Sequence, residues 1–263
     1  MSVSRPYLII LFLILQSIFW YGIHIGETTL WKGSRAIKPN LDIVPVVDSE
    51  AMVKAISFGD NQFYFRAMGY EIQNAGDSFG RTTPLKNYDY SELYKWLVLL
   101  DKLDPVSDYL PSMASYYYGA TQNPKAHLPY IVDYLENHAD KMPGKKWWWY
   151  TQAIYHAKHK LNDLERALEI SEKLSDIPKD IKIPLWARQM RAFILEQKGE
   201  YKQACEIILN ILDTYEEVSE GELNFMLYFI KDRVKAMELS GDEKIDPRCQ
   251  QLYESNMKKH SKN

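Results

Sequence analysis

Cysteine is scarce in this chain, and so is net charge of either sign. Its two cysteines, Cys205 and Cys249, are too few for a disulfide framework. A single bridge between them stays open, as does a free Cys205 packed as a small apolar residue in a helix. The formal net charge is −3, and lysines alternate with acids along the sequence. Because nucleic-acid-binding domains carry a clustered basic face, no nucleic-acid partner is expected.

Catalytic signatures are also missing from the sequence. It contains no Gly-x-Ser-x-Gly, no phosphate-binding loop and no dinucleotide-binding fingerprint. His156 and His159 have the i, i+3 spacing that can hold a metal ion, but lysines flank them and no third ligand lies at a predictable spacing. His127 and His138, on another predicted helix, are expected to be exposed. We therefore predict no catalytic residue, no metal, no cofactor and no enzyme activity.

Charge is absent from one long stretch near the start of the chain. No charged side chain lies between Arg5 and Glu27, and a helix needs roughly 20 apolar residues to cross a bilayer. We predict a short tail over 1–6 and a transmembrane helix over 7–26. A cleaved signal peptide is the alternative, which the aromatic residues around Trp20 disfavour because they suit the interfacial belt of a retained helix. The flanking charges leave the side of the membrane open.

The rest of the chain is patterned for helices. We expect a linker over 27–48 and N-terminal helices with a polar loop over 49–90. Helical repeats follow over 91–245, and a C-terminal tail occupies 246–263. The polar loop, 74–84, is rich in Gly, Asp, Ser and Thr, which are loop-forming residues. Since no window alternates apolar and polar residues for long, the predicted fold class is all-α.

Local signals set the expected ends of the helices. Asp48 or Ser49 is the predicted N-cap of the first helix after the linker, and Asp60 is that of the second. A further helix is predicted over 91–103, and another begins at Asp108 and continues to about residue 123. Pro124 lies in the first turn of the next helix, which Pro143-Gly144 ends.

The second half of the chain repeats itself with a period of 37 residues. Asn162 and Gly199 suit the left-handed turn between two antiparallel helices. Leu164 and Tyr201 are expected to pack each turn against the core, and a small alanine early in each second helix allows a close approach. The matched pairs are Trp149 with Trp186, Gln152 with Gln189, Asn162 with Gly199, and Ala167 with Ala204.

Two matched segments, 162–169 and 199–204, read Asn-Asp-Leu-Glu-Arg-Ala-Leu-Glu and Gly-Glu-Tyr-Lys-Gln-Ala. They resemble the turn and the start of the second helix in tetratricopeptide repeats. The period is longer than the usual 34 residues of that family, and the first helices lack its usual Leu-Gly pair. The resemblance implies a solenoid of helical hairpins in which the first helices line a concave binding face.

The whole arrangement also resembles an alphaproteobacterial membrane-protein family of unassigned function. The resemblance depends on short segments that include Phe58-Gly-Asp-Asn-Gln-Phe63, Gln73-Asn-Ala-Gly-Asp77 and Leu103-Asp-Pro105. It implies a location in a bacterial inner membrane and no particular reaction.

Tryptophan is the residue type that indicates binding in this sequence. Trp147, Trp148 and Trp149 are consecutive, and consecutive helix residues point about 100° apart, so the three cannot share one face. On a concave face built from first helices, the candidate partner-binding residues are Trp149, Gln152, His156, Trp186 and Gln189. The alternative is that Trp149 and Trp186 belong to the core between repeats.

The polar loop is the second candidate site. It carries Asp77 and Arg81 and is preceded by Arg66, three side chains that suit an anionic substrate or a partner. In the structural alternative, which we favour, Asp77 accepts backbone N–H bonds and Arg81 ties the loop to a helix.

The sequence as a whole predicts a single-pass membrane protein whose helical repeats act as a scaffold or adaptor for a protein partner. One alternative is an enzyme with an anion-binding site at the loop 74–84. The other is a purely structural subunit of a membrane assembly, in which Trp147 and Trp148 contact another chain.

Overall fold

The computed structural model describes residues 12–22, 43–44, 46–47, 49–78, 81–215, 218–240 and 247–251. Almost all of these residues are helical, which confirms the all-α class for the described part of the chain. The helices are α1 (12–22), α2 (Glu50–Ile56), α3 (Asn61–Gln73), α4 (Tyr90–Leu103), α5 (Tyr109–Ser112), α6 (Pro124–Asp140), α7 (Pro143–Tyr155), α8 (Leu164–Ser175), α9 (Leu185–Gln197), α10 (Tyr201–Thr214), α11 (Glu220–Ser240) and α12 (247–251).

The described part of the predicted transmembrane segment is α1. Its large apolar side chains are exposed, from Phe12, 66 % exposed, to Tyr21, 68 % exposed. No helix within the described ranges combines the length and the apolar character that crossing a membrane requires. Residues 7–11 and 23–26 of the predicted span, and most of the predicted linker, lie outside those ranges.

The N-caps predicted from sequence are present. The Ser49 hydroxyl accepts a bond from the backbone N–H of Met52 at 3.2 Å, and the Asp60 carboxylate accepts one from Phe63 at 2.9 Å. These side chains satisfy N–H groups that the first turn of a helix leaves without partners. Helix α4 begins at Tyr90, one residue before the predicted start.

The polar loop contains a short element of regular structure that the sequence analysis did not predict. Its strands are β1 (Asp77–Ser78) and β2 (Arg81–Thr82), which pair antiparallel, and a 3-10 turn (Leu85–Asn87) follows. Gly76, with a φ of 80°, precedes β1 and accepts a bond from the backbone N–H of Thr83 at 3.1 Å. Only two residues of each strand take part in the pairing.

The prediction of one continuous helix from Asp108 to about residue 123 is wrong. After α5 the chain forms a π-helical segment (Met113–Tyr117) and then a 3-10 turn (Tyr118–Ala120). A π-helical turn holds more residues than an α-helical turn, so it changes which side chains face inward. Ser115 is consequently buried, whereas Tyr116 is exposed. A second π-helical segment (His156–Leu161) continues α7.

Two helical hairpins occupy the region of the repeat. Helices α7 and α8 form the first hairpin, and α9 and α10 form the second. The residues at the predicted turns are left-handed, with φ of 57° at Asn162 and 82° at Gly199. Ala167 and Ala204, which the repeat matches, are both fully buried. The helix–turn–helix reading of each copy is therefore confirmed.

Helices that are close in sequence pack on one another. Examples are α4 on α6, α7 on α8, and α10 on α11. Their apolar side chains form two buried clusters, one extending from Val44 to Ile194 and the other from Leu185 to Cys249. A disulfide joins Cys205 on α10 to Cys249 on α12, with Cα atoms 6.5 Å apart, so Cys205 is not a free thiol.

Ion pairs close the contact between α6 and α8. Glu136 is only 6 % exposed; it pairs with Arg166 and accepts a bond from Lys173 at 2.9 Å. Arg166 also reaches Asp133 at 3.0 Å. Because buried charges need partners, these contacts fix the second helix of the first hairpin against α6.

Candidate partner-binding surface

Three tryptophans from two neighbouring first helices meet at the surface. The ring of Trp186 on α9 packs edge-to-face against those of Trp147 and Trp148 on α7, with centroids 5.8 and 6.3 Å apart. The Trp148 indole N–H donates to the hydroxyl of Tyr116 at 3.1 Å. Trp148 is 39 % and Trp186 42 % exposed. We call Tyr116, Trp147, Trp148 and Trp186 the aromatic surface.

A bend at the start of α7 sets the directions of its tryptophans. Lys146 has non-helical dihedrals, φ −108° and ψ 15°, and its buried ammonium group donates to the Asp108 carboxylate at 2.7 Å. The indole N–H of Trp149 donates to the same carboxylate oxygen at 2.8 Å. Burial raises the pKa of Asp108, but these two bonds outweigh it and the pKa is lowered overall. Trp149 therefore faces inward and Trp148 faces outward.

The structure separates the five residues predicted to line the groove. Trp149, His156 and Gln189 are 4 %, 3 % and 1 % exposed, so these three side chains belong to the core. Gln152 is half-buried, and Trp186 alone presents a large exposed area. The repeat matches Trp149 with Trp186, but the rings that pack on Trp186 are those of Trp147 and Trp148.

Tyr116 is the member of the aromatic surface that the sequence analysis did not place at a site. Its outward position depends on the π-helical segment, which leaves no recognised sequence signal. For α7 a signal did exist, because Trp148, Gln152 and Tyr155 are spaced i, i+4, i+7 and so lie on one helix face. Tyr155 is 45 % exposed and continues that face beyond Trp148.

Beneath this face lies a buried polar network. His156 Nε2 is 3.1 Å from the hydroxyl of Ser115, which also lies 3.2 Å from Gln152 Oε1. The two π-helical segments thus bring a serine and a histidine together. Burial, with a smaller contribution from Lys160, lowers the pKa of His156 to about 4, so its ring is neutral near pH 7. Because Ser115 is only 3 % exposed, the pair is enclosed rather than presented to a substrate.

The stretch of chain that carries the tryptophans of α7 is rich in positive charge. Residues 141–162 include five lysines and no aspartate or glutamate. Two of these lysines, Lys141 and Lys146, form ion pairs with buried or neighbouring carboxylates. Lys145 and Lys160 form none within the described part of the chain, and Lys158 interacts electrostatically with Glu196. The stretch that forms the first helix of the first hairpin is therefore both aromatic and basic.

The described side chains do not show a cluster of Arg66, Asp77 and Arg81 at the candidate loop site. Arg66 is exposed on α3, where it lines an open depression of about 480 Å³ with Phe63 and Tyr70. Asp77 and Arg81 belong to the paired strands, opposite Thr82 and Ser78 respectively, but their side chains lie outside the described part of the structure. The described geometry therefore assigns this loop no chemistry.

The expectation that His127 and His138 are exposed is wrong. The His127 ring stacks on that of Tyr90 with centroids 4.1 Å apart, and burial lowers its pKa. His138 is fully buried, with Nδ1 2.6 Å from the Asp101 carboxylate. Among the described residues no three side chains of the kinds that bind metals lie together.

Comparison of the chain with protein-family models, with curated proteins and with solved structures gave no match.

Proposed function

We propose that this protein is a membrane-anchored scaffold with tetratricopeptide-like repeats, and that its aromatic surface holds an acidic segment of a protein partner. The observation that carries the proposal is the contact between Trp148 and Trp186, which pack edge-to-face and yet each keep about two-fifths of their surface exposed. Tryptophans are enriched among the residues that dominate binding energy at interfaces. They combine a large apolar area with an N–H donor.

The arrangement of the hairpins supports a groove on the first-helix side. Ion pairs from Glu136 to Arg166 and Lys173 occupy the contact between α6 and α8. Large aromatic side chains remain exposed on α7 and α9 instead. Helical-repeat arrays commonly use the extended face formed by successive first helices for binding. Packing of the rings on each other also reduces the conformational entropy that a partner must remove.

The charge of the surroundings supports an acidic occupant. Lys145 and Lys160, which make no ion pair among the described residues, flank Trp148 and Tyr155 along the same helical stretch, where Lys158 adds a charge that interacts with Glu196. Opposite charges on a partner accelerate encounter and suppress wrong partners. A segment that carries aspartate or glutamate beside apolar residues therefore complements both features of the surface.

The proposed anchor is the uncharged segment 7–26, at a bacterial inner membrane. Its length and the exposed apolar side chains of α1 support insertion into lipid. The Cys205–Cys249 bridge supports an orientation with the repeats on the oxidising side, because disulfides persist in the periplasm and are rare in the cytosol. This choice of side rests on the bridge and not on the charges that flank the helix.

The test is selection of peptides from a displayed library by the full chain purified in detergent. We expect the selected peptides to be rich in acidic residues. Their affinity should fall about thirtyfold or more for the Trp148→Ala/Trp186→Ala variant, since truncation of one interface hot spot costs about 2 kcal/mol. A higher salt concentration should weaken the binding of the same peptides.

The matched control is Phe63→Ala/Tyr70→Ala, which removes two exposed aromatic side chains from α3. This variant should bind the selected peptides as the wild type does. Selection of peptides without acidic bias, or equal binding by the Trp148→Ala/Trp186→Ala variant, would contradict the proposal. A chain that buries the aromatic surface in a stable dimer would support the purely structural subunit instead.

A further inference from the structure

A basic depression lies between the end of α8 and the facing sides of α9 and α10. Its volume is about 180 Å³, smaller than the 300 Å³ or more that is typical of pockets for drug-sized ligands. The charged residues that line it are Asp176, Lys179, Arg188 and Arg191. Three cations and one carboxylate line it, and Glu172 pairs with Arg191, so positive charge is still in excess; none of these residues belongs to the aromatic surface.

Arg188 is the central residue of this depression. It is 4 % exposed, and its two terminal nitrogens donate to the backbone oxygens of Ile177 at 2.6 Å, Pro178 at 3.0 Å and Ile181 at 3.2 Å. Tyr215 places its ring 5.4 Å from the guanidinium carbon. Carbonyl dipoles and a ring thus surround a buried cation, which forms no ion pair in the described part of the chain.

A cation without a counter-charge is costly to bury, and one donor of Arg188 is not satisfied by the described residues. Its Nε is buried and has no hydrogen-bond partner among the residues that the structure describes, and the same is true of Nε in Arg191, three residues further along the same helix face. Arg191 uses one terminal nitrogen on Glu172, at 2.9 Å. Lys179 adds an ammonium group, which contacts the Thr214 hydroxyl at 3.3 Å.

We propose that this depression binds a small oxyanion: inorganic phosphate or the phosphate group of a monoester. Two guanidinium groups and one ammonium group supply charge-assisted donors, the kind of donor that recognises phosphate oxygens. The volume accepts one such group and a short substituent, and it is too small for a nucleotide. The carbonyl contacts hold Arg188 in place before the anion arrives, so little ordering remains to oppose binding.

The test is titration calorimetry on the full chain in a maltoside detergent, with inorganic phosphate and glycerol 3-phosphate as separate probes. At constant ionic strength, set with chloride, we expect saturable phosphate binding by the wild type. The Lys179→Gln/Arg191→Gln variant keeps the bonds from Arg188 to the backbone carbonyls. It should bind phosphate at least about tenfold more weakly. Tighter binding of glycerol 3-phosphate would identify a monoester, such as a lipid headgroup, as the source; tighter binding of phosphate would identify the free ion.

The charge-matched control is Lys145→Gln/Lys160→Gln, which also removes two positive charges but leaves the depression unchanged. It should bind phosphate as the wild type does, and so should Trp148→Ala/Trp186→Ala, which separates this proposal from that for the aromatic surface. Circular dichroism checks that the variants are folded. Absence of phosphate binding by the wild type, or equal binding by a folded Lys179→Gln/Arg191→Gln variant, would overturn the inference.

Discussion

The Oδ1 atom of Asp101 on α4 lies 2.6 Å from Nδ1 of His138 on α6, and both side chains are buried. Lys141, which is partly exposed, pairs with the other oxygen of the same carboxylate. The three residues connect α4 to the end of α6, the helix that packs on the first hairpin. They therefore hold α4 and α6 together.

We expect Asp101→Asn to lower the free energy of unfolding by about 2 kcal/mol, because the amide that replaces the buried carboxylate cannot accept hydrogen bonds from both the His138 ring and the Lys141 ammonium group. Urea denaturation of the purified chain measures this loss. The matched control is Asp213→Asn, which removes an exposed carboxylate that pairs with the exposed Arg248 and should cost less than about 1 kcal/mol. Similar losses for the two variants would show that burial of Asp101 does not matter.

The buried His156 predicts that the fold loses stability in acid. Burial lowers its pKa to about 4 in the folded chain, whereas an unfolded histidine has a pKa near 6.5. Below that pH the unfolded state binds more protons than the folded state, so the free energy of unfolding falls as the pH falls. Between pH 7 and pH 4.5 this histidine should account for a loss of about 2 to 3 kcal/mol.

The measurement compares the wild type with His156→Gln, a variant that cannot titrate at this position, by urea denaturation at both pH values. Carboxylates contribute equally to the two proteins, so the difference between their losses isolates the histidine. An identical loss in both proteins would mean that His156 is accessible to protonation in the folded state.

The Cys205–Cys249 bridge predicts a stability that depends on oxidation. It closes a loop across a sequence separation of 44 residues, and chain entropy for a loop of that length corresponds to about 4 kcal/mol. Cys205→Ser/Cys249→Ser should therefore unfold at a lower urea concentration, and a reducing agent should shift the wild type to the same midpoint while leaving the variant unchanged. Two free thiols in protein that is alkylated before extraction from cells would contradict the bridge and the orientation based on it.

Local features of this fold were predictable from the sequence because they depend on neighbouring residues. The capping oxygens of Ser49 and Asp60 bond backbone N–H groups three residues ahead. The left-handed turns at Asn162 and Gly199 need only a residue that tolerates positive φ. The repeated pattern then revealed that each turn joins two helices.

Features that depend on distant contacts were not predictable in the same way. His138 looked exposed because acids precede it on its helix, yet its partner Asp101 is 37 residues away. Tyr116 faces outward because of a π-helical segment, whose presence changes the phase of the helix. Trp149 was assigned to a groove by its match with Trp186, whereas a bond to a preceding aspartate turns it into the core.

Substitution of two neighbouring tryptophans on α7 should have different effects, one on the stability of the fold and the other on peptide binding. Trp149 is 4 % exposed and donates to Asp108, so Trp149→Ala should cost about 3 to 5 kcal/mol of unfolding free energy. Trp148 is 39 % exposed. Trp148→Ala should therefore lower the free energy of unfolding by less than about 1 kcal/mol, but it should weaken the binding of the selected acidic peptides. Urea denaturation and peptide titration on both variants measure the two effects. If Trp148→Ala destabilises the fold as much as Trp149→Ala does, the exposed indole is part of the core and the aromatic surface is not a docking site.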